Sequence, residues 1–248
     1  MVTIVMAYYQ RKAQLLNTLK SFLKYDPKEF NVVVVDDASP ECLSLSGYPF
    51  EVKILRVSNK TWFNPAPAFN MGFSYALIKN PDIIIIQNAE CYHEGDILSY
   101  AKGNLTDENY ISFGCYSISQ NSNLPPQVMN PKGISFNGED AWYNHPVHRA
   151  VAYHFCSAIT TKNLIKINGF DERFSYGIAC EDNYFLYQIR LLGLKIEILA
   201  EPFVIHQWHP EVSHGNNASL WEKNTILLNQ LMNENNYRAE HIFTLDLK

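Results

Sequence analysis

The chain has 248 residues, 47% of them hydrophobic, and a formal net charge of −5. That is apolar material for one full core, and basic residues that are scattered rather than clustered argue against a nucleic-acid polymer or an anionic membrane as the main partner. No apolar run reaches the roughly 18 to 20 residues that span a bilayer, and Met1 leads into Val2-Thr3-Ile4-Val5 with no basic region or cleavage site, so a soluble, cytoplasmic protein forming a single domain over residues 1–248 is expected. Cys42, Cys91, Cys115, Cys156 and Cys180 are odd in number, widely spaced and form no C-x-x-C pair, which reads as free thiols.

Residues 2 to 6 read as a short apolar strand, followed by a turn through Ala7-Tyr8-Tyr9-Gln10 and a helix with Leu15, Leu16, Leu19 and Phe22/Leu23 at helical spacing. Asp26-Pro27 ends it, and Asn31-Val32-Val33-Val34-Val35 reads as a second buried strand. The Asp36-Asp37-Ala38-Ser39 that follows lies on the ligand side of a parallel sheet. Either carboxylate could equally cap a turn. Val52 to Val57 is a third strand candidate, and the loop from Asn59 to Pro67 enters a helix through Asn70, Phe73 and Leu77.

Four consecutive isoleucines, Ile83 to Ile86, with Asn80-Pro81 before them, read as a central strand buried on both faces. Its polar end, Gln87-Asn88-Ala89-Glu90, falls where open parallel sheets bind ligands. Strands alternating with helical patterns through residue 101 indicate βαβ units and an α/β fold. Tyr110 to Ser119 resumes as strand. Residues 120 to 149 then form a long irregular segment holding Trp142, Tyr143, His145 and His148, expected to be an ordered binding loop. Val151 to Thr161 reads as strand, and Glu181-Asp182 opens a helix marked by Phe185, Leu186, Ile189 and Leu192. Lys195 to Leu199 is a further strand, and a last helix carries Leu220, Trp221, Leu227, Leu228 and Leu231.

Taken in order, the Val-rich strand ending in Asp-Asp-Ala-Ser, the Asn-containing helix, Asn-Ala-Glu where an Asp-x-Asp would stand, Gly-Phe-Asp-Glu-Arg-Phe, Glu-Asp and a late His resemble the inverting, nucleotide-sugar-dependent glycosyltransferases of the family 2 type, over about residues 2 to 210. The resemblance implies a GT-A fold, an open, mostly parallel twisted sheet flanked by helices. Residues 1–101 would form a nucleotide-binding half, 102–210 an acceptor-binding and catalytic half, and 211–248 a C-terminal helical segment. It also implies that Ala7, Tyr8 and Arg11 lie near the nucleotide, that Asp36 takes the uracil or ribose edge, and that Asn70 sits beside the diphosphate or ribose. Asn88 and Ala89 would belong to the same donor site. The Asp-x-Asp of the family holds Mn²⁺ or Mg²⁺ on the donor diphosphate; here Asn88 carries no charge, so Glu90 is the expected ligand, joined by His206 or His209, with His206 fitting the spacing better. Asp182 matches the family's general base, with Glu181 orienting the acceptor.

Trp142, Tyr143 and His145, with Trp62 and Phe63, are candidates for stacking on a sugar ring, and His148, Arg149 and His154 for contact with diphosphate or acceptor. His93, His214 and His241 read as surface or structural. A sugar nucleotidyltransferase or a dinucleotide-binding enzyme would need a glycine-rich phosphate loop after the first strand, and residues 6 to 14 contain no glycine. The sequence thus points to transfer of a sugar from a nucleoside diphosphate donor, with UDP the commonest case in the family, to a hydroxyl of a glycan or glycosylated acceptor. The alternative is a non-catalytic carbohydrate- or nucleotide-sugar-binding relative, against which the Glu181-Asp182 pair speaks.

Overall fold

The computed structural model describes residues 1–136, 138–210, 215 and 217–247; His214 lies outside them. In chain order the elements are β1 (Val2–Tyr8), α1 (Lys12–Ser21), β2 (Phe30–Asp36), β3 (Glu51–Arg56), α2 (Ala66–Ile78), β4 (Ile83–Asn88), β5 (Cys91–Glu94), α3 (Ile97–Asn104), β6 (Asn109–Ser117), β7 (Ala141–Asn144), β8 (Cys156–Thr160), α4 (Thr161–Ile167), α5 (Glu181–Leu191), β9 (Lys195–His206) and α6 (Asn217–Glu234).

The valine and isoleucine runs sit in the middle of the sheet because both of their faces are covered. Along them, alternate side chains serve opposite cores, as the strand period of two requires. Ile4, Met6, Val32, Val34 and Ile85 pack with Leu15, Leu19 and Phe22 of the α1 side and with Ile97 and Leu98 of α3. Val5, Val33, Val35, Ile84 and Ile86 pack with Phe69 and Phe73 of α2, Leu164 of α4 and Phe185 of α5. Each such fully buried aliphatic side chain contributes roughly 1.5 to 3 kcal/mol of transfer free energy. Helix α2 lies directly on β1 and β2. A Cβ at Gly72 would stand 2.5 Å from Val5 Cγ1, so only glycine allows this approach.

The strand order is β3-β2-β1-β4-β8-β6-β9-β5, with β7 paired to β6. Strands β3, β2, β1 and β4 are mutually parallel, β8 enters antiparallel to β4 and β6, and β6 and β9 are parallel again. The expected α/β GT-A architecture is therefore present, but its two halves interleave: β5, from the first hundred residues, pairs with β9 at the far edge. Register aligns Tyr8 with Asp36 and Ala7 with Asn88, which brings the carboxyl ends of β1, β2 and β4 to one rim.

Three segments differ from their sequence reading. The strand before α4 is shorter than 151–161, beginning at Cys156, because residues 150–155 are held in irregular backbone by side chains. Strand β9 runs on to His206, past the Leu199 at which the strand was expected to end. Helix α6 ends at Glu234, and the chain after it turns back over the domain, where Glu172 Oε2 accepts from the amides of Ile242 and Phe243, each at 2.6 Å. Among the described residues no helix is long and apolar enough to cross a membrane, and all five cysteines are free.

Candidate active site

A cavity of about 680 Å³ opens at the rim where β1, β2 and β4 end. It is lined by Ala7 and Tyr8 at the end of β1, Tyr9 and Arg11 from the turn that follows, Asp37 after β2, Lys60, Trp62 and Phe63 from the loop before α2, Asn88 at the end of β4 and Glu90 after it, and His154, Glu181 and Asp182. Ala7, Tyr8, Arg11, Asn88, Glu90, Glu181 and Asp182, all singled out in the sequence, thus line one cavity, although they come from three separate stretches of chain.

Asp36 does not line it. Its carboxylate is fully buried and is taken up by the Arg56 guanidinium and by the amides of Ser39 at 3.0 Å and Leu43 at 3.3 Å, so Asp36 folds the loop that follows β2. The carboxylate at the cavity is its neighbour Asp37, which accepts from Trp62 Nε1 at 2.9 Å and Lys60 Nζ at 2.6 Å. Burial pushes the Asp37 carboxyl up, against the pull of Lys60. Trp62 is held from behind by Phe243, with ring centroids 5.0 Å apart.

Asn70 is also buried away from the cavity. Its Oδ1 accepts from Phe170 N at 2.9 Å, while Nδ2 donates to Phe170 O at 2.8 Å and to a Glu172 oxygen at 2.9 Å. It ties α2 to the Gly169-Phe170 turn and, through Glu172, to the C-terminal tail. Ala89 is part of the core, which leaves Asn88 and Glu90 on either side of it.

Glu90 is 2% exposed, and a buried carboxylate needs counter-charge. Arg11 Nη1 lies 2.7 Å from its Oε1, His206 Nε2 3.2 Å and His209 Nε2 3.6 Å from the same oxygen. Burial alone would raise the Glu90 pKa; Arg11 and the two imidazoles overcome it and hold the carboxyl well below its usual range. The ligand atoms of Glu90, His206 and His209 all lie within 4.8 Å of one another. One carboxylate and two imidazoles form a donor set suited to Mn²⁺ and similar divalent ions. Both histidines also line a second, smaller cavity of about 220 Å³ with Tyr143, Phe155 and Trp208.

At the opposite wall, Glu181 and Asp182 open α5. Asn64 Nδ2 donates to Glu181 Oε2 at 2.6 Å, and the same Asn64 accepts from Ala66 N at 2.9 Å at the start of α2. Burial and the adjoining Asp182 charge raise the Glu181 carboxyl to about 7. Asp182 is paired with His154. Burial disfavours charge on that imidazole, but the Asp182 carboxylate outweighs it and raises the His154 pKa.

The loop aromatics separate. Tyr143 faces His206, with centroids 4.9 Å apart. Trp142 instead sits in a core cluster with Tyr116 and Phe203, and His145 packs against it at a tilt and stacks on His148 while its Nδ1 accepts from the Val147 and His148 amides. These two shape the loop and do not line either cavity. His93 and His241 are structural, the first bonded to Gln87 and Tyr25, the second to Asn168 O. The sequence reading missed Lys60, Asn64 and Tyr9. An Asn-Pro pair directly before a helix signals a cap, which could have marked Asn64, whereas nothing local marks Lys60.

Comparison with known proteins agrees with this fold. The structure resembles S. aureus TarS residues 1–349 solved with UDP (TM-score 0.64, 14% identity, 98% of this chain and 67% of that one). It also resembles a mannosyltransferase from Pyrobaculum calidifontis solved with GDP-Man and Mn²⁺ (TM-score 0.55, 15% identity, covering 96% and 65%), and the catalytic domain of Drosophila beta1,4galactosyltransferase 7 solved with xylobiose (TM-score 0.52, 15% identity, covering 90% and 79%). No curated protein matches the chain by sequence. The family model "Glycosyl transferase family 2" matches residues 3–166, two thirds of the length with β1 through α4, and on that match the chain belongs to glycosyl transferase family 2 and is a GT-A glycosyltransferase.

Proposed function

We propose that this glycosyltransferase inverts the anomeric centre, moving a sugar from a nucleoside diphosphate, with UDP the first choice, to a hydroxyl of a glycan or glycosylated acceptor with help from a divalent metal. The observation that carries the reading is that Arg11, Asp37, Glu90 and Asp182 share one cavity large enough for a nucleotide sugar. In this reading Asp37, rather than Asp36, accepts from the base or ribose edge beside Trp62, and Arg11 and Lys60 supply positive charge for the diphosphate. Asn88 serves ribose. Structures of TarS with UDP and of the Pyrobaculum enzyme with GDP-Man and Mn²⁺ support a nucleotide-sugar donor.

Glu90, His206 and His209 would hold Mn²⁺ or Mg²⁺, which when bound neutralises negative charge on the departing diphosphate. Asp182 accepts the acceptor hydroxyl's proton as the new C–O bond forms at the anomeric carbon and the bond from that carbon to the phosphate oxygen breaks. One base on the face opposite the leaving group gives inversion. Glu181, raised to about 7 by burial and by Asp182, is partly protonated near neutral pH and in that form can donate a hydrogen bond to the acceptor. Tyr143 beside His206 remains the aromatic candidate for an acceptor ring.

The test is a panel of UDP-, GDP- and dTDP-sugars assayed for donor hydrolysis with Mn²⁺, Mg²⁺ or EDTA, on wild type and Asp182→Asn. Metal-dependent turnover of one donor that falls about 10²- to 10⁴-fold in the variant supports both assignments. Turnover indifferent to EDTA removes the metal; no turnover, with binding of free glycans, favours a non-catalytic carbohydrate-binding protein.

A further inference from the structure

His154 stands next to the reacting groups, yet nothing in the family pattern assigns it a task. Its ring is almost wholly buried and is boxed by two aromatic neighbours, Phe69 at 5.1 Å and 85° and Phe170 at 4.7 Å and 60° between planes. The backbone on either side of it is also tied down. Ser112 Oγ donates to Tyr153 O at 3.1 Å, Asn88 N donates to Phe155 O at 3.1 Å, and Ala152 N donates to Asn144 Oδ1 at 3.0 Å. The imidazole therefore has little freedom to move, and its Nδ1 stands in ion-pair contact with Asp182 Oδ1. Asp182 itself is a partly exposed side chain at the first turn of α5, and among the described residues His154 is the one side chain that pairs with it.

We propose that His154 is the positioning residue for the carboxylate base: by engaging Asp182 Oδ1 it turns the other oxygen, Oδ2, toward the cavity and holds it there. The role rests on the transferase reading in which Asp182 is the base. The two adjoining carboxylates are thereby divided by their partners. Asn64 fixes Glu181 with a neutral amide at 2.6 Å, whereas His154 meets Asp182 with an imidazole. Asparagine, whose amide nitrogen occupies nearly the position of Nδ1 on the same Cβ–Cγ stem, can supply the same donor; leucine fills the volume without one.

The experiment compares wild type, His154→Asn and His154→Leu in hydrolysis of the UDP-, GDP- and dTDP-sugar panel, with UDP binding by calorimetry in the presence of Mn²⁺ and thermal unfolding as controls. The expected result is kcat in H154L lower by about 10- to 100-fold, a part of what a positioned base supplies, with donor KM and UDP affinity as in wild type. H154N should recover kcat to within about threefold of wild type, since it restores the donor at the same stem position. An H154L enzyme that keeps wild-type kcat overturns the role. So does an H154N enzyme that falls as far as H154L, or a loss in H154L that appears equally in UDP affinity, because each points to packing alone. A wild type that turns over no donor overturns the transferase reading together with this role, an outcome distinct from an active wild type with an unaffected H154L.

Discussion

Arg11 Nη1 and the two imidazole Nε2 atoms of His206 and His209 converge on a single oxygen of Glu90, at 2.7, 3.2 and 3.6 Å. A guanidinium and a divalent cation cannot both take that oxygen without repulsion at close range. Arg11 must move to another anion when a metal engages Glu90, and the donor diphosphate is the available one. Arg11→Met is therefore expected to bind Mn²⁺ about tenfold more tightly than wild type without nucleotide, or 1.4 kcal/mol, while losing affinity for UDP. Calorimetric titration with Mn²⁺ alone and then with UDP measures both. Weaker Mn²⁺ binding in the variant would mean that Arg11 supports the cluster instead of competing for it.

The ionisable groups of the site give stability a pH dependence with two separate windows. Glu90 has its folded pKa depressed, so its contribution is present above the unfolded carboxylate value and is lost as pH falls through the folded one. Glu181 and His154 have folded values raised. Their contributions are full below the unfolded values and are lost as pH rises through the folded ones, near 7 for Glu181. The melting temperature should thus decline between pH 5 and 8, by about 2 to 6 °C. Glu181→Gln, which cannot ionise, should reduce that decline. An equal decline in the variant would show that Glu181 does not titrate there.

Asn70 tests whether a polar side chain near the site serves it or the fold. All three of its hydrogen bonds go to protein groups, Phe170 N, Phe170 O and Glu172. Asn70→Ala leaves those groups buried and unsatisfied, at a cost of about 2 to 4 kcal/mol by denaturant unfolding, with UDP affinity unchanged in the fraction that remains folded. A variant of normal stability that binds UDP poorly would return Asn70 to the donor site.

Asp37 gives the converse case. Asp37→Asn keeps the acceptor for Trp62 Nε1 but loses the charge that faces Lys60. Donor KM should rise by about tenfold or more, as expected when a charged hydrogen-bonding group is removed, with kcat little changed. The same substitution at Asp36 should instead lower stability, since the buried Asp36 carboxylate is paired with Arg56. Equal effects on donor KM at both positions would erase the distinction between them.

The contrast between Asp36 and Asp37 shows what could be read in advance. A strand buried on both faces carries no polar–apolar alternation, so the run Val32 to Val35 identifies the strand and its end but not which of two successive carboxylates turns toward the rim. Helix α2 has the same ambiguity, being apolar nearly all round, and Asn70 could be placed on it but not on a face. The Ile83–Ile86 strand, Glu90 and the Glu181-Asp182 helix start were legible because strand ends and helix starts carry strong local signals. Trp142 was misjudged because β7 has only four residues, too few to show a period inside a loop rich in Asn, Pro and Gly. His154 meets Asp182 through tertiary packing alone, and Arg11 meets Glu90 across 79 residues of sequence, relations that no local pattern encodes.

The joining of β9 to the turn after β4 has a consequence for how the protein becomes active. Gln207 Nε2 donates to Glu90 O at 2.9 Å across 117 residues of chain, and His206 reaches Glu90 only because β9 pairs with both β6 and β5. The parallel strands β1, β2 and β4 can associate through contacts much nearer in sequence, but the cluster around Glu90 waits for the slowest kind of closure, between distant segments. Acquisition of Mn²⁺ affinity during refolding should therefore lag behind recovery of sheet structure, making metal binding a late clock for completion of the fold.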